Sequence, residues 1–183
     1  MSTKNDYQAG APQVVRARQD GDGGRWTLVF ARDLEHPPER VWRALTDPAE
    51  LREWAPFDAS RDLGRSGPAV LTMAGSKTPS AEDDMPAQIR TAEAPRLLEY
   101  TWGEDLLRWE LEPIPSGTRL TLFHTVSDRS WLSKVAAGWH ICLDVAEHLL
   151  AGDRVGRIVA EQAMAHGWER LNDGYARQLD GAR

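Results

Sequence analysis

The chain contains several groups of residues whose types and spacing could do chemistry. His140, Asp144 and His148 stand at i, i+4 and i+8, a spacing that aligns side chains on one helical face and resembles a metal site. Stepping by about 100° per residue places them opposite the stripe Trp131, Val135, Trp139, Cys142 and Leu149, with Glu147 among them. The spacing therefore predicts a solvated, charge-alternating face and no metal. Cys142 is the lone cysteine, so neither an intrachain disulfide nor a cysteine zinc site can form. On the apolar stripe it reads as a small core hydrophobe. His124 has two readings. It is a neutral histidine hydrogen-bonded within the core, or a ligand-orienting donor or general acid/base, since free imidazole titrates near neutrality. No second catalytic partner can be assigned to it, and no pair of carboxylates stands out as a hydrolytic acid and base. The chain lacks a G-x-S-x-G nucleophile elbow, an H-E-x-x-H pair, a phosphate-binding GKS or GKT loop, and a strand followed by G-x-G-x-x-G.

Tryptophan is the other unusual feature: eight, against three Phe and three Tyr. Each indole can bury on the order of 200 Å² and carries one N–H that needs a partner. Such rings either fill a core or line a cavity, and the elements that carry them must decide.

Trp26 to Arg32 is rich in β-formers and reads as the first strand. His36-Pro37-Pro38 stops it, and a helix over Glu39–Thr46 puts Val41, Trp42 and Leu45 on one face. Asp47-Pro48-Ala49-Glu50 predicts a second short helix carrying Leu51 and Trp54, with Asp47 as cap, Pro48 presetting the first turn and Glu50 reaching back to close a capping box. From Phe57 to Asp128 alternation replaces the helical period. Strands are expected at Val70–Met73, Ala87–Thr91, Leu97–Trp102, Leu106–Glu112 and Thr118–Val126, joined by short turns into an antiparallel meander, with a further strand near Phe57–Leu63. Gly75–Pro86 reads as a mobile loop. The long amphipathic helix begins near Ser130 and stops at Gly152. A last helix, starting near Val155, carries Trp168, Leu171, Tyr175 and Leu179.

Alternation fixes which strand residues share a face. Leu98, Tyr100 and Trp102 go together, as do Leu107, Trp109 and Leu111, and Leu120, Leu122, His124 and Val126. This inward set is large, apolar and aromatic with few polar tips. It matches a small-molecule pocket and equally a filled core.

Composition limits the function. Hydrophobic residues make up 41% of the 183 and charged ones 27%, the profile of a globular chain. With 22 basic and 28 acidic residues the net charge is −6, which argues against nucleic acid as a partner. Nothing approaches the roughly 18 consecutive apolar residues of a membrane span, and residues 1–24 lack the apolar stretch of a secretory signal. The expectation is a cytoplasmic protein: a flexible segment over 1–24, one domain over 25–152, and a helical extension over 153–183 packed on it.

The order of elements is that of an α+β fold with helices on one face of an antiparallel sheet. Together with local motifs it resembles the START-like, helix-grip superfamily called SRPBCC, and more narrowly its branch of homologues of the activator of the heat-shock protein 90 ATPase. The motifs are Pro38 to Pro48, Leu51-Arg52-Glu53-Trp54, Ala94 to Trp102, Trp109 to Glu112, Gly117 to His124, and Gly138-Trp139 leading into Cys142-Leu143. The resemblance spans about Trp26 to Gly152. It implies a curved antiparallel sheet of about six to seven strands wrapped around the long helix, two short helices after the first strand, and usually a cavity between sheet and helix. It implies Trp54, Tyr100, Trp102, Trp109, His124 and Trp139 as cavity-lining, ligand-binding positions, with no catalytic triad and no cofactor. It supplies no activity, since such proteins bind lipids, cyclise polyketides or assist chaperones. Three functions follow as expectations: binding of a hydrophobic or aromatic small molecule, a chaperone-associated or other protein-interaction module using the face of the 155–179 helix, or a cyclase or dehydratase in which His124 moves a proton.

Overall fold

A proline pair sets the first turn of the chain after the sheet begins. Pro37 and Pro38 cannot continue the ladder of strand β2 (Trp26–Leu34), and Pro38 opens helix α1 (Pro38–Thr46), where its missing N–H costs nothing. Asp47 then serves two helices. Its amide donates to the Arg43 carbonyl and closes α1, while its carboxylate accepts the Ala49 amide at 2.8 Å and opens α2 (Pro48–Trp54). Because the Asp47 amide is already used, Glu50 does not complete a capping box. Its carboxylate instead takes Arg40 at 2.6 Å and Arg43 at 3.0 Å.

The computed structural model describes residues 6–21 and 24–181. After α2 the chain lays down β3 (Phe57–Ala59), β4 (Gly67–Met73), β5 (Asp84–Glu93), β6 (Leu97–Trp102), β7 (Asp105–Ile114) and β8 (Gly117–Val126). With β1 (Val15–Gln19) they form one antiparallel sheet in the order β1-β2-β8-β7-β6-β5-β4-β3. The sheet curls, and helix α3 (Leu132–Leu150) lies across its concave face, giving the helix-grip α+β fold. It has eight strands rather than six or seven. One of the two short edge strands, β1, comes from the segment read as flexible. Val15–Gln19 docks by backbone bonds along β2, from Val15 opposite Phe30 to Gln19 opposite Trp26, and buries little besides Val15. An edge strand of this kind needs almost no hydrophobic pattern, so composition hid it.

Two expectations about the helices are corrected. Trp131, placed on the buried stripe, is 50% exposed. It ends a tight turn over Arg129–Trp131 capped by Asp128, and the regular helical phase starts only at Leu132. The last helix does not start near Val155. Residues 153–159 run without helix, burying Val155, Ile158 and Val159, and are followed by a short α4 (Glu161–Met164) and by α5 (Trp168–Gly181). Positive φ at Gly156, Ala160 and Gly167 breaks the helical path three times. Helix α5 packs on α3 and β1 through Leu171, Tyr175 and Leu179.

Candidate functional site

The register of three strands assembles the aromatic residues. Across β6, β7 and β8, Leu98 faces Trp109 and Trp109 faces Leu122, while Tyr100 faces Leu107 and Leu107 faces His124. Trp102 sits opposite Asp105 at the turn end of the same ladder. Nearly all of the alternating inward set is buried, Trp102 only in part.

The six residues expected to line a cavity divide into two groups. Trp54, Tyr100 and Trp109 are closed core, each 1% exposed. Their polar atoms are paired internally: Trp54 Nε1 donates to the Ala44 carbonyl at 2.9 Å, and Trp109 Nε1 to the Tyr100 hydroxyl at 3.1 Å. Trp54 and Trp109 meet edge to face with centroids 6.2 Å apart. Burial holds the Tyr100 hydroxyl protonated far into the alkaline range, against the opposing effect of the Trp109 bond. Trp102, His124 and Trp139 instead border an open pocket of about 470 Å³. Its floor includes Val135, Gly138 and Cys142 of α3. Its far wall is Ile158 to Ala160, Ala163, Met164 and Trp168, and Pro56, Met73 and Trp131 complete it. Trp139 joins the two groups, 5.3 Å from Trp109 and 6.4 Å from Trp102 between centroids.

Hydrogen bonds fix the state of His124. Trp139 Nε1 donates to its Nδ1 at 2.8 Å, and indole nitrogen is a donor only, so Nδ1 is an unprotonated acceptor. The proton therefore sits on Nε2, which donates to the Asp105 carboxylate at 2.8 Å. Both ring nitrogens of this 1%-exposed residue are engaged, and protonating Nδ1 would set two N–H groups against each other. The arrangement orients Trp139 and leaves no ring nitrogen to exchange a proton with a substrate. Trp102 differs: its Nε1 is buried without a hydrogen-bond partner among the described residues. Such an orphan costs about 1–3 kcal/mol. Burial pushes the Cys142 thiol up to about 12, so it stays a thiol at neutral pH and is no nucleophile.

The second helical constellation is not where the spacing predicts. On the face of α3 bearing these residues, His140 and Asp144 are covered by Tyr7 and by α5, while the His148 side chain stays 34% exposed. His140 is 2% exposed and shares a hydrogen bond with the Tyr175 hydroxyl at 2.7 Å. Asp144 accepts the Tyr7 hydroxyl and Arg32 Nη1, both at 2.6 Å. Burial alone would raise the Asp144 carboxyl, but hydrogen bonds from His140 and Tyr7 and the charge of Arg32 outweigh it and hold the group below the usual carboxylate range. The helical period gives which residues share a face. It does not give what distant segment lies over that face.

Sequence reasoning missed Asp105, Arg32 and the outer wall 158–168. Arg32 had a signal: alternation places it on the buried face with Leu28, Phe30 and Leu34. Asp105 stood in a turn and gave none. The wall comes from a segment whose apolar residues carry no clean period.

A family model described as activator of Hsp90 ATPase homolog 1-like protein matches residues 35–151. No curated protein matches the chain. Among solved structures, the chain is similar to CalU16 from Micromonospora echinospora, at 21% identity and a TM-score of 0.67, covering 90% of this chain and 95% of that one. A conserved protein of unknown function from Enterococcus faecalis aligns at 16% identity and a TM-score of 0.68, over 92% of each chain. An AHSA1-like protein from Aeromonas hydrophila gives 18% identity and a TM-score of 0.57, over 69% of this chain and 92% of that one. At these identities the likeness is one of fold. Among the described residues no helix is long and apolar enough to cross a membrane.

Proposed function

The chain belongs to the family of activator of Hsp90 ATPase homolog 1-like proteins, and from that premise we propose that it binds a hydrophobic or aromatic small molecule in the pocket between β6–β8, α3 and the 158–168 segment. The fold is one consistent with ligand-binding or interaction modules. The observation that carries the reading is the pocket itself: about 470 Å³, within the range of small-molecule sites, walled by Trp102, Trp139 and Trp168 and apolar residues. A screen of flavonoids, polyketide-like aromatics and fatty acids against the purified chain tests it. A ligand should quench tryptophan emission and raise the melting temperature, with a stabilisation of about 2.7 kcal/mol at one hundred times its dissociation constant. A screen that moves neither signal sinks the proposal.

A protein-interaction role has one supporting observation. Met73, Trp131 and Met164, all at this pocket, are 38%, 50% and 46% exposed and give its mouth an apolar rim. The face of the last helix, the candidate read from sequence, does not serve, because Leu171, Tyr175 and Leu179 are buried. Proton transfer by His124 has no support in the geometry, since Trp139 and Asp105 occupy both nitrogens.

A further inference from the structure

The walls of the pocket are held with unequal firmness, and the difference bears on how an occupant is taken up, an inference that rests on the small-molecule reading above. As the chain stands, the inner lining is almost covered: Trp139 is 3% exposed, Cys142 4%, and His124 and Ile158 1% each. A fused-ring molecule laid against these residues must displace one wall. Strands β6, β7 and β8 are paired on both edges, and α3 is packed along its length from Leu132 to Leu150. The third wall is held at its ends. Arg157 donates to the Asp58 carboxylate at 2.5 Å and to the Arg52 carbonyl at 2.8 Å, and the His166 carbonyl takes the Ala9 amide at 3.2 Å. Between those anchors lies α4, outside the residues 35–151 that match the family model. Ala160, Glu161, Gln162, Met164 and Ala165 are exposed and Ala163 is buried. The ion pair of Glu161 with Lys77 has both side chains largely in water and adds little. Elements with so little buried surface open at low cost.

The turn that enters α4 is also strained. The Gln162 amide donates to the Val159 carbonyl at 3.2 Å, and Ala160 between them has φ 51° and ψ −132°. These are the angles of the first central position of a type II′ turn, which favours glycine because a Cβ is crowded there. Here the glycine stands across the contact instead. A Cβ on Gly75, just beyond β4, would lie 2.8 Å from the Ala160 Cβ. The Ala160 methyl is thus seated where Gly75 has no side chain, and that seat holds the turn in an unfavourable conformation. We infer that α4 is a flap sprung at Ala160: the occupant binds by displacing it, and the turn relaxes out of positive φ as the methyl leaves Gly75, while Arg157 and His166 stay anchored. Strain present in the seated flap then favours the occupied state.

Methyl β-naphthyl ketone, titrated against the full chain and followed by tryptophan quenching, is the probe. Ala160→Gly relieves the seated flap alone, so stability and affinity should move in opposite directions. The melting temperature should rise by about 2–6 °C, and the ketone should bind about three- to thirtyfold weaker. Loss of a methyl contact would weaken the ketone without raising the melting temperature. In the native chain the Gln162 amide, whose bond closes the turn, should exchange with solvent at least about threefold faster at saturating ketone. Occupancy of a rigid pocket would leave it unchanged or protect it. Tying α4 down should oppose binding. Lys77→Cys/Glu161→Cys bridged by a reducible bis-methanethiosulfonate linker should bind the ketone at least about tenfold weaker than the same variant after reduction. Cys142, a buried thiol, stays out of that reaction. Any other pairing of stability and affinity in Ala160→Gly, a Gln162 amide that exchanges no faster with ketone, or a linker without effect on affinity overturns the flap and leaves small-molecule binding standing. A ketone that binds none of these chains, the native one included, overturns both.

Discussion

Helix α3 has two faces, and they are held by opposite means. Toward the sheet, Trp139 packs on Trp109 and Trp54, and its one polar atom is satisfied by a single hydrogen bond to His124. On the side of β2 and α5, His140 and Asp144 are joined to Tyr7, Arg32 and Tyr175 in a polar network that ties the 7–13 segment, β2 and α5 to the helix. The first face stabilises by apolar area and is open at one end, where the pocket begins. The second buries charge, which stabilises only while every partner is present. The proposed ligand site lies at the open end of the first face. The second face ties down the terminal segments, and with them the pocket's outer wall: the Tyr7 carbonyl pairs with His166 Nδ1 at 2.8 Å, two residues before Trp168.

The largest test of this contrast sets one truncation on each face. Trp139→Ala should cost about 3–5 kcal/mol by loss of area and creation of a cavity. Asp144→Ala should cost a similar ~3–5 kcal/mol for a different reason, since Arg32, with its side chain 4% exposed, loses its 2.6 Å partner. Urea denaturation measures both. The two are told apart by the double variant Arg32→Met/Asp144→Leu, which should recover part of the loss because the buried cation goes as well. No such compensation exists for Trp139. If Asp144→Ala costs less than about 1 kcal/mol, the network is wet and the two faces are not different in kind.

Acid should act on the polar face through the Asp144 carboxylate. The Asp144 carboxyl is held below its unfolded value, so the folded state favours the carboxylate. Its contribution is therefore complete above the unfolded carboxyl range near pH 4 and is lost as the pH falls through the lower folded value. Stability followed from pH 6 to pH 2.5 should fall in the native chain, and in Asp144→Asn it should start lower and fall less over the acid end (roughly the carboxyl range). Parallel curves would show that Asp144 is not the group responsible. Tyr7→Phe, which removes one donor to that carboxylate and keeps the ring, should cost about 1.5–3 kcal/mol at neutral pH.

The two faces were not equally legible. Strand alternation named the buried ring residues of β6, β7 and β8, because a period of two leaves only one choice of face once Leu98, Trp109 and Leu122 are taken as inward. The same period could not tell Tyr100 and Trp109, whose polar atoms find each other, from Trp102, whose N–H finds nothing. That depends on depth along the ladder, set by α3 and the 158–168 wall. On the outer face the helical period correctly grouped His140, Asp144 and His148 and then misread their surroundings. The cover comes from Tyr7, 137 residues away from Asp144, and from Tyr175, and no local pattern announces a contact of that separation. Arg32 was the one available clue, a cation at an inward strand position that must have a buried partner.

The smallest stability effect should come from the pocket's mouth, and it separates packing from binding. Trp131 lies immediately before the regular helix, half exposed, with the Lys134 ammonium 4.6 Å from its ring centroid. Little area is lost when it is truncated, and an exposed cation–π contact is worth about 0.5–1 kcal/mol at most. Trp131→Ala should therefore leave urea stability within about 1 kcal/mol of the native chain, several times less than Trp139→Ala, although both remove the same side chain from the border of the same pocket. Binding should rank them differently. With the fold intact, Trp131→Ala removes one aromatic wall and should weaken methyl β-naphthyl ketone by about 0.5–1.5 kcal/mol, the range of an aromatic contact. A variant that stays stable and keeps its affinity would place the ligand deeper, against Trp102 and His124, with Trp131 free for another partner. One that loses more than about 2 kcal/mol of stability would mean that Trp131 is held by the fold, and that the open and closed regions of the aromatic cluster are continuous.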